Sequence, residues 1–221
     1  MNLMPLLVLA AVAVFLVLKL RSVLGTRTGF EPKPDNLPRP PMRGPAPDTG
    51  FEVIEGDGKD RDIADHVDLD SDAGQALIQM KRVEPDFSVT EFMSGSKQAY
   101  EMILMAYENG DLKTLEQFLA PDVYRGFEEA VEQRAEAGLT VEARFVGVRE
   151  VKLKDARFDD MDNVADIVVR FVGELTSVVR NAEGQVVEGD PQAIKRQSDV
   201  WTFSRVMGSE NPNWLLVATG A

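Results

Sequence analysis

The acidic run Asp68-Leu-Asp70-Ser-Asp72-Ala-Gly74 is the first place in this chain where side chains could gather a metal. Carboxylates at the first, third and fifth positions open a calcium loop, which also needs glycine at the sixth and a bidentate glutamate at the twelfth. Those positions hold Ala73 and Gln79, so the run reads instead as a helix cap closing an acidic segment. Glu128-Glu129 and Asp159-Asp160 could supply general acid–base groups, but a catalytic carboxyl needs burial or a close partner to tune it. One pair falls on the open side of a helix and the other in a turn, and both should be solvated. Cysteine is absent and His66 is the lone histidine, so this chain cannot assemble a thiolate site, a histidine-based triad or a multi-histidine metal centre. It has no glycine-rich phosphate loop and no nucleophile elbow. The expectation is a protein without catalytic residues, metal or cofactor.

Apolar groups are better represented. Tyr100, Leu104, Phe171, Trp201, Phe203 and Trp214 fall on a long helix and on adjacent strands. At strand spacing such aromatics serve as core or cross-strand pairs. The sharper alternative is a pocket between helix and sheet that takes a lipid chain or an apolar peptide. Met93 follows the inward stripe of the helix, whereas Met102 and Met105 lie off it, where flexible methionines suit a partner-facing strip. Lys19, Arg21 and Arg27 are candidates for contact with anionic headgroups.

Those bases follow Leu3–Leu18, a 16-residue run with no charged or polar side chain. With Leu20, Val23 and Leu24 added and the basic stems snorkelling, it reaches the roughly 20 residues that a hydrocarbon core requires. A secretory leader carries positive charge ahead of its apolar core. Here the charge follows, so residues 1–24 read as an uncleaved transmembrane anchor rather than a cleaved leader. Six bases against two acids in residues 19–45 put the downstream side in the cytoplasm. Seven prolines in residues 31–50 and the acidic stretch over 52–72 make residues 25–71 an extended, then disordered, linker. Of the net charge of −13, residues 1–46 contribute +4, residues 47–92 −9 and residues 93–221 −8. No nucleic-acid footprint is expected from that distribution.

Asp72-x-x-Gln75 opens a helix to about Val83, within a linking helix region over 72–94. Ser88-Val-Thr-Glu91 is a stronger capping box. Behind it Val89, Phe92, Met93, Ser96, Tyr100, Ile103, Leu104 and Tyr107 recur at helical spacing as far as Asn109-Gly110. Asp111 starts a short helix, and Pro121 a third with Val123, Phe127 and Val131 inward. From Leu139 the period falls to two, over Leu139–Leu153, Val164–Arg180, Ile194–Val206 and Trp214–Thr219. Helices first and long strands after predict an α+β fold, with helices packed on one face of a curved antiparallel sheet.

Six segments carry a family resemblance. They are Lys97-Gln-Ala-Tyr100-Glu-Met-Ile103, Gly110-Asp-Leu112-x-x-Leu115 and Pro121-Asp-Val-Tyr124-x-x-Phe127, followed by Val187-Glu-Gly-Asp-Pro191, Asp199-Val-Trp-Thr-Phe203 and Pro212-Asn-Trp214-x-Leu216-Val-Ala-Thr219. In this order residues 95–221 resemble the Tim44-like family: the C-terminal domain of the mitochondrial import-motor adaptor and its bacterial relatives. The resemblance implies a nuclear-transport-factor-two-like cone that associates with an inner membrane through lipid headgroups. In mitochondrial members it implies an adaptor that recruits a heat-shock-seventy-class chaperone. The chain departs from that pattern in having its own anchor and a short linker where the long chaperone-docking region stands. The expectation is a membrane-tethered, non-catalytic adaptor or scaffold in protein transport or envelope assembly, docking a chaperone or other partner protein. The expected location is a bacterial inner membrane, single-pass with a cytoplasmic domain, and the alternative is the mitochondrial inner membrane. The alternative function is an anionic-lipid-binding domain with an apolar pocket, where Lys81 and Arg82 beside Leu77, Ile78 and Met80 would meet the bilayer.

Overall fold

Helical structure is present within the acidic stretch over 52–72 that reads as linker. The structure, a computed structural model, describes residues 60–220. The sequence-read anchor, most of the linker, and Lys19, Arg21 and Arg27 lie outside them. Among the described residues no helix is long and apolar enough to cross a membrane. From Asp60 onward the linker reading is corrected. Helix α1 (Arg61–Ala64) is one turn, capped by the Asp60 carboxylate, which accepts from the Asp62 backbone N–H at 3.1 Å. Its Ile63 is fully buried. One apolar side chain among acids gives little compositional signal, yet it joins the core of the domain.

Helix α2 (Asp72–Val83) is capped by Ser71, whose Oγ accepts from the Gly74 N–H at 3.0 Å. Asp72, expected to be the cap, stands instead in the first turn, where its charge suits the helix dipole. Helix α3 (Val89–Asn109) starts as expected at Ser88, whose Oγ accepts from Glu91 N–H at 3.2 Å, and ends at Gly110 with φ 70°. It buries the expected stripe from Val89 through Leu104, with Tyr107 half-buried. Helix α4 (Leu112–Phe118) is capped by Asp111, and α5 (Pro121–Glu136) starts on its proline. Val123, Phe127 and Val131 face inward only in part, and α5 has no fully buried residue.

Five strands follow among the described residues: β1 (Thr140–Asp159), β2 (Val164–Arg180), β3 (Val186–Gly189), β4 (Lys195–Val206) and β5 (Leu215–Gly220). They form one open antiparallel sheet in the order β1-β2-β4-β5, with β3 paired to β2. Strand β1 runs past the expected end at Leu153 because register shifts after Phe145, Val148 and Leu153 reset its pairing with β2. Such extra residues bend and twist a strand, and they break the simple alternation that sequence reading follows. The inner face of β2 is as read, with Ala165, Ile167, Val169, Phe171 and Leu175 buried against the helices. Glu174 points to the wet face but is only 7% exposed, because Arg149 and Arg196 close over it at 2.8 and 3.0 Å.

Candidate docking groove

A groove of about 480 Å³ opens between α3, the end of α4 and the segment entering β5. Phe92, Ser96, Ala99 and Met102 line it from α3, Phe118 from α4, Phe203 from β4, and Pro212, Asn213 and Trp214 from the connection. Phe92 is its pivot: its ring centroid lies 4.7 Å from Trp214 and 6.0 Å from Phe203, both edge-on. Met102, at 43% exposure, forms the lip. Trp214 is backed by Arg205, whose guanidinium lies 5.3 Å from the ring. Arg205 is 8% exposed and donates from Nη2 to both oxygens of Glu84 at 2.7 Å. Glu84 also accepts the Gly208 N–H at 2.9 Å. Burial pushes the Glu84 carboxyl up, but the bonds from Arg205 and Gly208 outweigh it and hold the group below the usual carboxylate range. The Arg205 Nε is buried without a partner, so that arginine is held by one carboxylate, the Met207 sulfur at 3.4 Å and one aromatic face.

Of the six residues expected to line one pocket, the groove contains two, Phe203 and Trp214. Tyr100, Phe171 and Trp201 pack against one another as core. Tyr100 stacks on Phe171 at 4.5 Å and 12°, and lies 4.7 Å from Trp201. Leu104 is buried nearby on α3. The Tyr100 hydroxyl donates to Asp199 Oδ2 at 2.6 Å. Burial, reinforced by the bond to Asp199 and its charge, pushes this phenol well above its usual range, so it remains a protonated donor. Phe92 and Phe118 are the aromatic groove residues that sequence reasoning missed. Phe92 sits in the helical stripe of core residues and carries no mark that its outer edge stays open.

Several of the remaining candidates have partners elsewhere than in the groove. Asp68 Oδ1 accepts the Asp70 N–H at 3.0 Å within its own turn, and Asp159 Oδ1 accepts the Met161 N–H at 2.9 Å. Glu128 accepts from the Tyr124 hydroxyl one turn earlier at 3.0 Å. His66 Nε2 lies 3.3 Å from Thr90 Oγ1. Lys81 pairs with Asp60 at 2.9 Å and Asp62 at 2.8 Å, while Leu77 and Met80 are fully buried. Of the α2 residues expected to meet lipid, Leu77 and Met80 are thus turned into the domain, Ile78 is half-buried and Arg82 is exposed. Asp62 does more than pair: it accepts the N–H groups of Val89 at 2.7 Å and Thr90 at 2.8 Å, and the Ser88 hydroxyl at 3.1 Å. A side chain 27 residues away therefore caps α3. Burial pushes its carboxyl up, but Lys81 and the Thr90 and Val89 donors outweigh that and hold it far below the usual range.

A family profile described as "Tim44-like domain" matches residues 73–221, from the second residue of α2 onward. The chain belongs to the Tim44-like domain family. The groove lies wholly within the matched residues, and the α1 turn with its Asp62 clamp lies ahead of them. The human "Mitochondrial import inner membrane translocase subunit TIM44" is 27% identical over 143 residues, which are 64% of this chain and 31% of that protein. The Caenorhabditis elegans "Probable mitochondrial import inner membrane translocase subunit tin-44" is 22% identical over 144 residues, 64% of this chain and 33% of that one. The chain thus spans about a third of the length of the curated relatives it matches. Among solved structures, the intermembrane space region of chloroplast protein ARC6 matches with a TM-score of 0.38 at 12% identity, over 59% of this chain and 92% of that one. That score is too low to bear on the fold.

Proposed function

We propose that this protein is a non-catalytic, membrane-tethered adaptor whose Tim44-like domain receives an apolar segment of a partner protein in the groove at Phe92 and Trp214. The observation that carries the reading is the groove's lining. Glu91 is its one ionisable side chain, and the rest are aromatic, aliphatic or neutral amides and hydroxyls. Such a surface can hold an apolar segment but has little with which to move protons or stabilise developing charge. Family membership supports a role in protein transport, since the similar proteins are named as inner membrane translocase subunits. The tether is residues 1–24, read from Leu3–Leu18 and the bases behind it. The partner is a heat-shock-seventy-class chaperone or another component of a transport machine. The location is an inner membrane, bacterial or mitochondrial, with the domain on the side where the bases lie.

A photo-crosslinker at Met102, introduced into the full chain in intact cells, tests this. One reproducible protein adduct that is lost when Trp214→Ala is added supports the reading. Adducts that match those from Met161, which is 88% exposed outside the groove, count against it.

A further inference from the structure

Helix α5 has open space beside both its first and its last half. One cleft of about 480 Å³ is lined by Tyr107, Val123, Gly126, Phe127 and Thr219. The other, of about 340 Å³, is lined by Gly110, Val131, Arg134 and Leu139 among others. The helix starts at Ala120 without a side-chain cap and carries Gly126 in its interior, where nothing lies within 4 Å of the place a Cβ would take. Helix α3 is its opposite, doubly capped by Ser88 and Asp62 and buried along a whole stripe. Few buried contacts and a weak start place a helix at the low end of a domain's local stability.

Two side chains attach α5 to Tyr107 of α3, beside the partial packing of Val123 and Tyr124 on the core. The Arg134 guanidinium lies over the Tyr107 ring at 4.6 Å and donates from Nη2 to the Tyr107 carbonyl oxygen. Phe127 meets the same ring edge-on at 5.1 Å. The two ends are fixed separately. Ala120 N–H donates to the Leu216 carbonyl at 2.9 Å, and Gly138 turns the chain into β1 with φ 66°, a conformation glycine adopts without strain. We infer that α5 is a hinged lid, latched by Arg134 and Phe127 onto Tyr107, that lifts from α3 as a unit while its ends stay attached. Lifting fully exposes Tyr107, Val123 and Phe127, an apolar strip that is half-buried in the closed form. The inference does not depend on the docking groove.

Hydrogen exchange on the full chain tests it. The amides of 121–136 should exchange about ten-fold or more faster than those of 89–109. Arg134→Ala, which removes one cation–π contact and one hydrogen bond, should speed α5 by about ten-fold and leave 89–109 and 164–180 unchanged. Gly126→Ala adds a methyl to open space and touches no latch contact, and it should slow α5 alone by about five-fold. Exchange of 121–136 in step with 89–109 would overturn the lid. An Arg134→Ala variant in which α5 is unchanged, or in which every segment speeds up equally, would overturn the latch.

Discussion

The Tyr100 phenol donates to Asp199 across 2.6 Å, joining α3 to β4 inside the layer where helices meet sheet. Gln197 Nε2 donates to the same carboxylate oxygen at 2.9 Å, and Gly173 on β2 leaves the hydroxyl the room it needs. Tyr100→Phe keeps the ring on Phe171 and removes only the donor, so it should cost about 2 kcal/mol in urea unfolding. Gly173→Ala would set a methyl 2.6 Å from a phenol oxygen that is wedged between Phe171 and Trp201. That overpacking should cost about 2–3 kcal/mol. The double variant should lose less than the sum, because the shortest clash leaves with the hydroxyl.

Asp62 sets an acid limb of stability. Its carboxyl titrates far below the ordinary range in the folded domain, so the folded state prefers it ionised. The stabilisation is fully present above the unfolded value of about 4 and falls away progressively below it. Glu84, also lowered, adds to the same limb. Thermal melts between neutral pH and about pH 3 should show Asp62→Asn starting lower and declining less steeply than the unmodified chain.

Glu84 and Arg205 should respond unequally to removal. Glu84→Ala leaves a guanidinium that is 8% exposed with no anion and with its Nε already unpartnered. Full burial of such a charge costs about 3–5 kcal/mol, and the 28% side-chain exposure of Glu84 lowers the expectation to about 2–3 kcal/mol. Arg205→Met removes the charge with the partner and should cost less. Because Trp214 leans on Arg205, its fluorescence should move to the red in Glu84→Ala, while Trp201, buried in the core, should keep its blue emission.

Gly74 lies where the turn at Asp68 and Leu69 crosses α2. A Cβ there would stand 2.2 Å from the Asp68 carbonyl oxygen and 2.8 Å from Leu69 Cα, both main-chain atoms that cannot swing aside. Gly74→Ala should lift residues 60–70 from the domain, read as faster limited proteolysis in that stretch with the sheet intact.

What could be read from sequence was whatever local spacing determines. The Ser88 cap, the α3 stripe and the alternation of β2 each follow from residues within a turn or two of one another, and each is found as expected. The contacts that escaped are distant ones. Asp62 looks like one more solvated acid until the fold brings the start of α3 to it, and Ile63 is one apolar residue among charges. Strand β3 carries Val186 and Val187 on exposed backbone and has no alternation to detect. Tyr100, Phe171, Trp201 and Phe203 were correctly placed on facing elements, and Trp214 falls in the connection just ahead of β5 rather than on it, but whether they fill space or border it depends on how closely α3 settles on the sheet. Tyr100 settled tightly and Phe92 at an edge, a difference that spacing does not encode.

The Asp62 clamp bears on where this protein can be cut. A fragment begun at residue 73, the edge of the family match, would discard the carboxylate that caps α3 and the buried isoleucine beside it. It would also strand Lys81, which loses both of its anions. A truncation that begins at or before Asp60 keeps all three, and should outlast the shorter fragment in purification and in heat.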